Sequence, residues 1–346
     1  IFGIDNHQII DTQSRQLYVV AQVDDPYSHL MAQVVAQFAE RYDIEVAPHL
    51  IRATGGSSQP EEEKLAVWAR RDCGLIAPHY GLSFPDNAGV VPEPQLQQAA
   101  NRALTKLGAK DFLTQVEGIS ASLWSDGSID AGQVTAEEAE AALDAGSTRL
   151  AELDHYSGAM LYYAGEWYWG VDRLHYLEKR LADLGADLCP EAPLLMPRFE
   201  VEAGKHRDNG SLTLEIYPSL RSPYTAVVFD QTLKLAETTG VNLLVRPVLP
   251  MVMRGVPATR EKGMYIFTDA AREARSAGVP FGNFYDPIGQ PARNCYSLYP
   301  WACEQGRGNQ LISSFLNAAF VQGINTNNSR GLKSVVENAG LDWSVA

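Results

Sequence analysis

Between Leu212 and Gly255 the apolar positions change period twice. Leu212, Leu214 and Ile216 alternate with Thr213 and Glu215, the two-residue repeat of a strand with one buried face. Ser222 ends that strand and Pro223 follows it. A serine hydroxyl accepts from the free N–H groups of a first helical turn, and a proline at the first helical position gives up no hydrogen bond. Tyr224 to Thr239 then carries Val227, Val228, Leu233, Leu235 and Ala236, and Gly240 stands where a helix closes on a left-handed residue. Val241 to Val245 is an apolar run of strand length. The stretch therefore predicts a parallel strand–helix–strand crossover, with Ser222 at the carboxyl end of one strand and the positive end of the helix. Such a position suits an anion.

The same order occurs earlier in the chain. Leu17 to Val23 reads as an apolar strand, Asp25-Pro26 as the turn, and a helix and a strand ending near Arg52 follow. Laid on itself with a shift of 197 residues and no gap, the span 17–84 matches 214–281 at ten positions, among them Pro26 with Pro223, Tyr27 with Tyr224 and Asp72 with Asp269. Chance would give roughly four, and the shared element order turns a modest identity into a predicted duplication. The recurrence of Asp72 and Asp269 points to a scaffold role. The polar loop ATGGSSQPEEE has no Gly-Lys-Ser/Thr after its glycines, so it reads as a flexible cap on an acidic helix start. From Pro60 to about Gly146 the period is helical. SGAMLYY and EWYWG then form a strand pair turning at Ala164-Gly165, and a closing helix starts at Asp172. A lead-in at 1–16, a unit over 17–187, a proline-bearing linker over 188–211 and a second unit over 212–346 complete the division. In the second unit the helical block runs from about Ala258 to Gly340, Pro280 falls in a loop, and the strand pair and closing helix have no counterpart.

Charge and composition narrow the function. A formal charge of −14 repels phosphate backbones and anionic lipid, which excludes nucleic acid and membrane surfaces as partners. No run reaches the length of a membrane span, and the opening IFGIDNHQII lacks the pattern of a secretory leader, so a cytoplasmic protein is expected. The absence of an initiator Met suggests a processed, tagged or disordered start. Cys73, Cys189, Cys295 and Cys303 form no C-x-x-C, and the seven histidines form no H-E-x-x-H, so buried reduced thiols and no bound metal are expected.

The layout βαβ, helical insertion, ββα is that of the thioredoxin fold as the DsbA-like superfamily uses it. The stretches SLRSPYTA, RPVLPMVMRG, YIFTDAAREARSAGVPF and GEWYWGVDRLHYLEKRL resemble the branch of 2-hydroxychromene-2-carboxylate isomerases and kappa-class glutathione transferases. The fold class is thus α/β, two tandem thioredoxin-like units, the second lacking its end. The resemblance implies glutathione as cofactor, a small conjugated aromatic-derived acid as substrate, and a serine facing the glutathione sulfur. Carried across, the serine is Ser222 and the acidic residue that binds the γ-glutamyl end is Asp172. Arg221, Arg246 and Arg254 stand near the same turn as candidate carboxylate partners, and the Tyr224 hydroxyl is within reach of it. Two departures set the first unit apart: Asp25 replaces the serine, and Ala159 stands where the family has a cis-proline. A carboxylate there repels a thiolate, so the first unit is expected to be silent.

Three readings stay open. Ser222 and Asp25 are both good helix caps and need no further role. A non-catalytic binding or scaffold protein would use the units without chemistry. A thiol-disulfide oxidoreductase is disfavoured by R-S-P-Y, which holds no cysteine pair. The two units would form a pseudo-dimer within one chain, and a homodimer of chains remains open.

Overall fold

The structure is a computed structural model that describes residues 15–85, 91–125, 127–200 and 204–346. All but the last two residues of the expected lead-in fall outside that range, and Gln16 already belongs to a strand. The chain divides into two compact units, the first ending at Glu200.

The first unit opens with β1 (Gln16–Ala21), a turn capped by Asp25, α1 (Pro26–Ala32) and α2 (Val35–Arg41), and then β2 (Glu45–Leu50). The expected single helix is interrupted at Gln33 and Val34. The Gln33 amide leaves the helix face to bond both backbone groups of Ser83, accepting from its N–H and donating to its carbonyl, each at 2.9 Å. The helical block supplies α3 (Glu62–Ile76), α4 (Pro94–Leu104), α5 (Ala109–Trp124) and α6 (Ala136–Glu152). α6 outruns the expected end at Gly146. That glycine lies where the helix crosses β2, and a Cβ on it would come 1.9 Å from the Leu50 carbonyl oxygen. The unit ends with β3 (Met160–Tyr163), β4 (Glu166–Trp169), a 3₁₀ turn over Val171–Arg173 and α7 (Leu174–Asp183). Ala164 and Gly165 make the β3–β4 turn in the left-handed region, at φ 43° and 90°.

The four strands order β2-β1-β3-β4, with β1 parallel to β2 and antiparallel to β3. This is a thioredoxin-like arrangement, with β1 at the centre. Its Leu17, Val19 and Val20 are buried on both faces, which is why LYVV reads as a continuous apolar run. Leu30, Phe38, Tyr42, Leu161, Leu174, Leu177 and Leu181 close the core around it.

Residues just beyond α7 are fastened to this unit. Arg41, buried, forks onto Asp187 and donates to the Ala192 carbonyl at 3.0 Å. Glu178, fully buried, accepts from the Tyr42 hydroxyl and from the Leu195 and Met196 amides at 2.7–2.9 Å. The early part of the proline-bearing stretch is thus packed, because a buried carboxylate needs donors and these amides supply them.

The second unit runs β5 (Thr213–Ile216), α8 (Pro223–Thr239), β6 (Asn242–Val245), α9 (Arg260–Ala277), α10 (Gln290–Glu304), α11 (Gly308–Phe320) and α12 (Ser329–Asn338). Its core lies among the helices, around Leu220, Phe229, Leu311, Ile312, Phe315, Phe320, Val335 and Val336. Among the described residues β5 pairs with β6 alone. The β5–β6 register, Thr213 opposite Asn242 through Ile216 opposite Val245, repeats 197 residues later that of Gln16 opposite Glu45 through Val19 opposite Pro48.

Replacing Glu178 by alanine strands three buried donors, each costing about 1–3 kcal/mol. Glu178→Ala is expected to lower the unfolding free energy by at least ~3 kcal/mol in denaturant titration, whereas Glu191→Ala, on the exposed side of the same segment, should change little.

Candidate functional site

Each unit presents a strand-to-helix turn, and the two turns share a frame. Ser222 caps α8 with φ −85° and ψ 119°, and its Oγ accepts from the Thr225 amide at 3.2 Å. Asp25 caps α1 with φ −88° and ψ 120°, accepting from the Tyr27 and Ser28 amides at 3.3 and 3.0 Å. A hydroxyl three residues past the cap reaches back in both: Thr225 Oγ1 accepts from Ser219 N–H at 3.3 Å, and Ser28 Oγ from Gln22 N–H at 3.2 Å. The first-turn tyrosines donate to buried or half-buried aspartates 45 positions on, Tyr27 to Asp72 and Tyr224 to Asp269, both at 2.8 Å. The recurrent aspartates are scaffold partners of tyrosine.

The turns differ at the cap. In the first unit Ser28 Oγ also donates to Asp25 Oδ2 at 2.8 Å and accepts from Ala159 N–H at 3.0 Å, so the loop before β3 lies across the turn. Ala159 is wholly buried with φ 52°, a left-handed conformation costly for a residue with a Cβ, and its peptide bond is trans. Gly158 makes the approach possible, since a Cβ there would sit 2.8 Å from Gln22 Cβ. Burial under this loop pushes the Asp25 carboxyl up to about 6, against the pull of its bonds from Ser28 and Tyr27. Burial, reinforced by Asp25 and Asp72, also holds the Cys73 thiol far above its ordinary range, so that thiol is inert.

In the second unit the cap is a neutral hydroxyl at the N-terminus of a 17-residue helix. Among the described residues nothing accepts the Ser222 hydroxyl proton. The neighbouring candidates are engaged. Arg221 forks onto Asp286 with two bonds of 2.8 Å, Nε to Oδ1 and Nη2 to Oδ2. The Tyr224 hydroxyl is given to Asp269, which also lies 3.5 Å from Arg272. Arg246 pairs with Glu215 across the exposed face of the β5–β6 sheet at 2.9 Å, and Arg254 donates through Nε to the Leu249 carbonyl at 3.1 Å. The three arginines are therefore held on three separate partners. Asp172 sits in the turn before α7 of the first unit and pairs with Arg173 at 2.6 Å.

Two features escaped the sequence. Asp286 lies in an irregular segment 65 residues from Arg221, with no period to link them. The hydroxyl at 28 and 225 was visible as Ser against Thr, a similarity that identity counting passes over. A cavity of about 590 Å³ lies elsewhere, among α4, α5 and the segment 128–134, and neither cap lines it. Among the described residues no three His, Cys, Asp or Glu side chains gather as a metal would require, and no helix is long and apolar enough to cross a membrane.

No family model and no curated protein matches the chain. Among solved structures it is similar to a 2-hydroxychromene-2-carboxylate isomerase, at 18% identity over 49% of this chain and 96% of that one, with a TM-score of 0.36. It is also similar to a putative protein disulfide isomerase from Nitrosomonas europaea, at 13% identity over 49% of this chain and 95% of that one, with a TM-score of 0.35. Neither likeness carries an activity.

A carboxyl near 3.8 when unfolded and about 6 when folded binds its proton more tightly in the native state. Its stabilising contribution is complete below pH 3.8 and is lost as pH rises through 6, a fall of up to about 3 kcal/mol. Asp25→Asn is expected to flatten the pH dependence of unfolding between about pH 4 and pH 7, measured by denaturation across that window; an unchanged slope would show that Asp25 does not titrate there.

Proposed function

We propose that the chain is a duplicated thioredoxin-like protein whose second unit uses glutathione, acting as an isomerase or transferase on a conjugated aromatic-derived acid in the manner of 2-hydroxychromene-2-carboxylate isomerase. The observation that carries this is the place of the Ser222 hydroxyl, at the positive end of α8 where it caps the helix through the Thr225 amide. The duplication is supported by contacts that recur 197 residues apart: the strand register, the cap, the hydroxyl that follows it and the tyrosine–aspartate bond.

The turn fits a thiolate in two respects. Ser222 can donate to an anionic sulfur, and the α8 N-terminus adds a favourable field, together about 1–3 kcal/mol. Bound glutathione supplies a sulfur nucleophile that adds reversibly to a conjugated double bond. Ser222 orients that sulfur and disperses its charge; Arg221, once exchanged from Asp286, is the nearest cation in sequence for a carboxylate. The first unit stays silent in this reading, because Asp25 above pH 6 presents a like charge. Asp172, the acidic residue that the resemblance assigns to the γ-glutamyl end, belongs to the other unit and pairs with Arg173.

A binding or scaffold protein is the second reading. It is favoured by the engagement of Arg221 with Asp286 and of Tyr224 with Asp269, which leaves the turn complete without a ligand. Dithiol chemistry has no support, since all four cysteines are free: Cys73 and Cys295 are buried, while Cys189 and Cys303 are exposed, against the expectation of buried thiols.

Calorimetric titration of glutathione into wild type and Ser222→Ala separates the readings. Heat of binding in wild type, weakened about tenfold or more in the variant, is expected, with a loss of about 0.5–2 kcal/mol in stability from the missing cap. Absence of heat in both proteins would favour the scaffold.

A further inference from the structure

The helical block of the first unit holds a cavity that neither turn uses. Its volume of about 590 Å³ lies within the range of small-molecule sites, and its walls are the end of α4, one face of α5 and the segment 128–134. On α5 the lining positions are Gln115, Gly118, Ile119 and Ser122, spaced as a single helical face. That face is small where it meets the space. Gly118 stands inside the helix, where glycine is the poorest former after proline, and a Cβ on it would meet no atom within 4 Å. The charges of the wall are unequal. Lys106 pairs with Glu138, and Asp130 turns one carboxylate oxygen to the Gly132 amide at 2.9 Å. Half-buried Arg102 gives its Nε to the Val134 carbonyl, which ties α4 to the segment 128–134. Among the described residues no carboxylate pairs with Arg102, and four of the five N–H donors of its guanidinium are left. Ile119 and Ile129 supply apolar wall and are backed by the buried cluster of Ala100, Leu123 and Trp124.

We propose that this cavity binds a small carboxylic acid with an apolar body, its carboxylate on Arg102 and its body against Ile119 and Ile129. A guanidinium takes a carboxylate with two parallel bonds, and the apolar wall removes the body of the ligand from water. The chemistry of the wall selects against other classes. An amine or a metal ion would meet the Arg102 charge, and a phosphate dianion would find one uncompensated cation for its two charges. A nucleobase would find no aromatic ring to stack on among the described lining residues. The site is built from the first unit alone and needs neither Ser222 nor glutathione.

Isothermal titration of octanoate into the full chain tests this, with octylamine as the probe of opposite charge. Octanoate is expected to bind with a Kd of about 1 mM or tighter, and octylamine not at all. Arg102→Gln should weaken octanoate binding by about tenfold. Because Arg102 also holds Val134, Gly118→Leu carries the test independently. Leucine is the better helix former, so the unfolding midpoint should not fall, while its side chain occupies the space and removes binding. No heat from octanoate up to about 10 mM, equal binding of octylamine, or undiminished binding in either variant would each overturn the proposal.

Discussion

The hydrogen bond from a first-turn tyrosine to an aspartate on the helix after the next strand fixes how each unit is built. Tyr224 to Asp269 joins α8 to α9, and Tyr27 to Asp72 joins α1 to α3. A bond between a phenol and a carboxylate is worth more than a neutral one, and Asp269, 1% exposed, is compensated by it together with Arg272. Because the tyrosine lies two residues past the cap, the same bond sets where the cap residue stands relative to the sheet. The turn is thereby held whatever the cap carries.

The two turns, built on the same hydrogen bonds, hold different electrostatics. Around Asp25 the loop before β3 covers the turn, and Ser28 is saturated by Asp25, Gln22 and Ala159. The cost is carried by the carboxyl, which resists ionisation. Around Ser222 the cap is a neutral hydroxyl that accepts from the Thr225 amide. The two turns share a frame and differ in the side chain at the cap, a carboxyl in one and a hydroxyl in the other.

Most of the frame was legible in the sequence, because it is written in short-range signals. Alternation in LTLEI, a cap followed by proline, and glycine after the helix each act over a few residues, and the observed α8 runs from Pro223 to Thr239 as they dictate. The hairpin at Ala164-Gly165 was legible for the same reason. What the sequence withheld depends on distant partners. The break after α1 arises from Gln33 meeting Ser83, α6 continues past Gly146 because the glycine clears Leu50, and Arg221 is claimed by Asp286. Ala159 was expected within the strand SGAMLYY, but that strand starts at Met160 and Ala159 precedes it with a left-handed backbone against Ser28.

The central claim is that a serine hydroxyl and a helix N-terminus together favour a thiolate at the second turn. Following thiolate absorbance near 240 nm of stoichiometric glutathione during a pH titration tests it directly. The account predicts that the bound thiol ionises at least about one unit below a free thiol, whose midpoint is near 8.5, and that Ser222→Ala moves the midpoint back up. A midpoint identical to that of free glutathione in both proteins would contradict it.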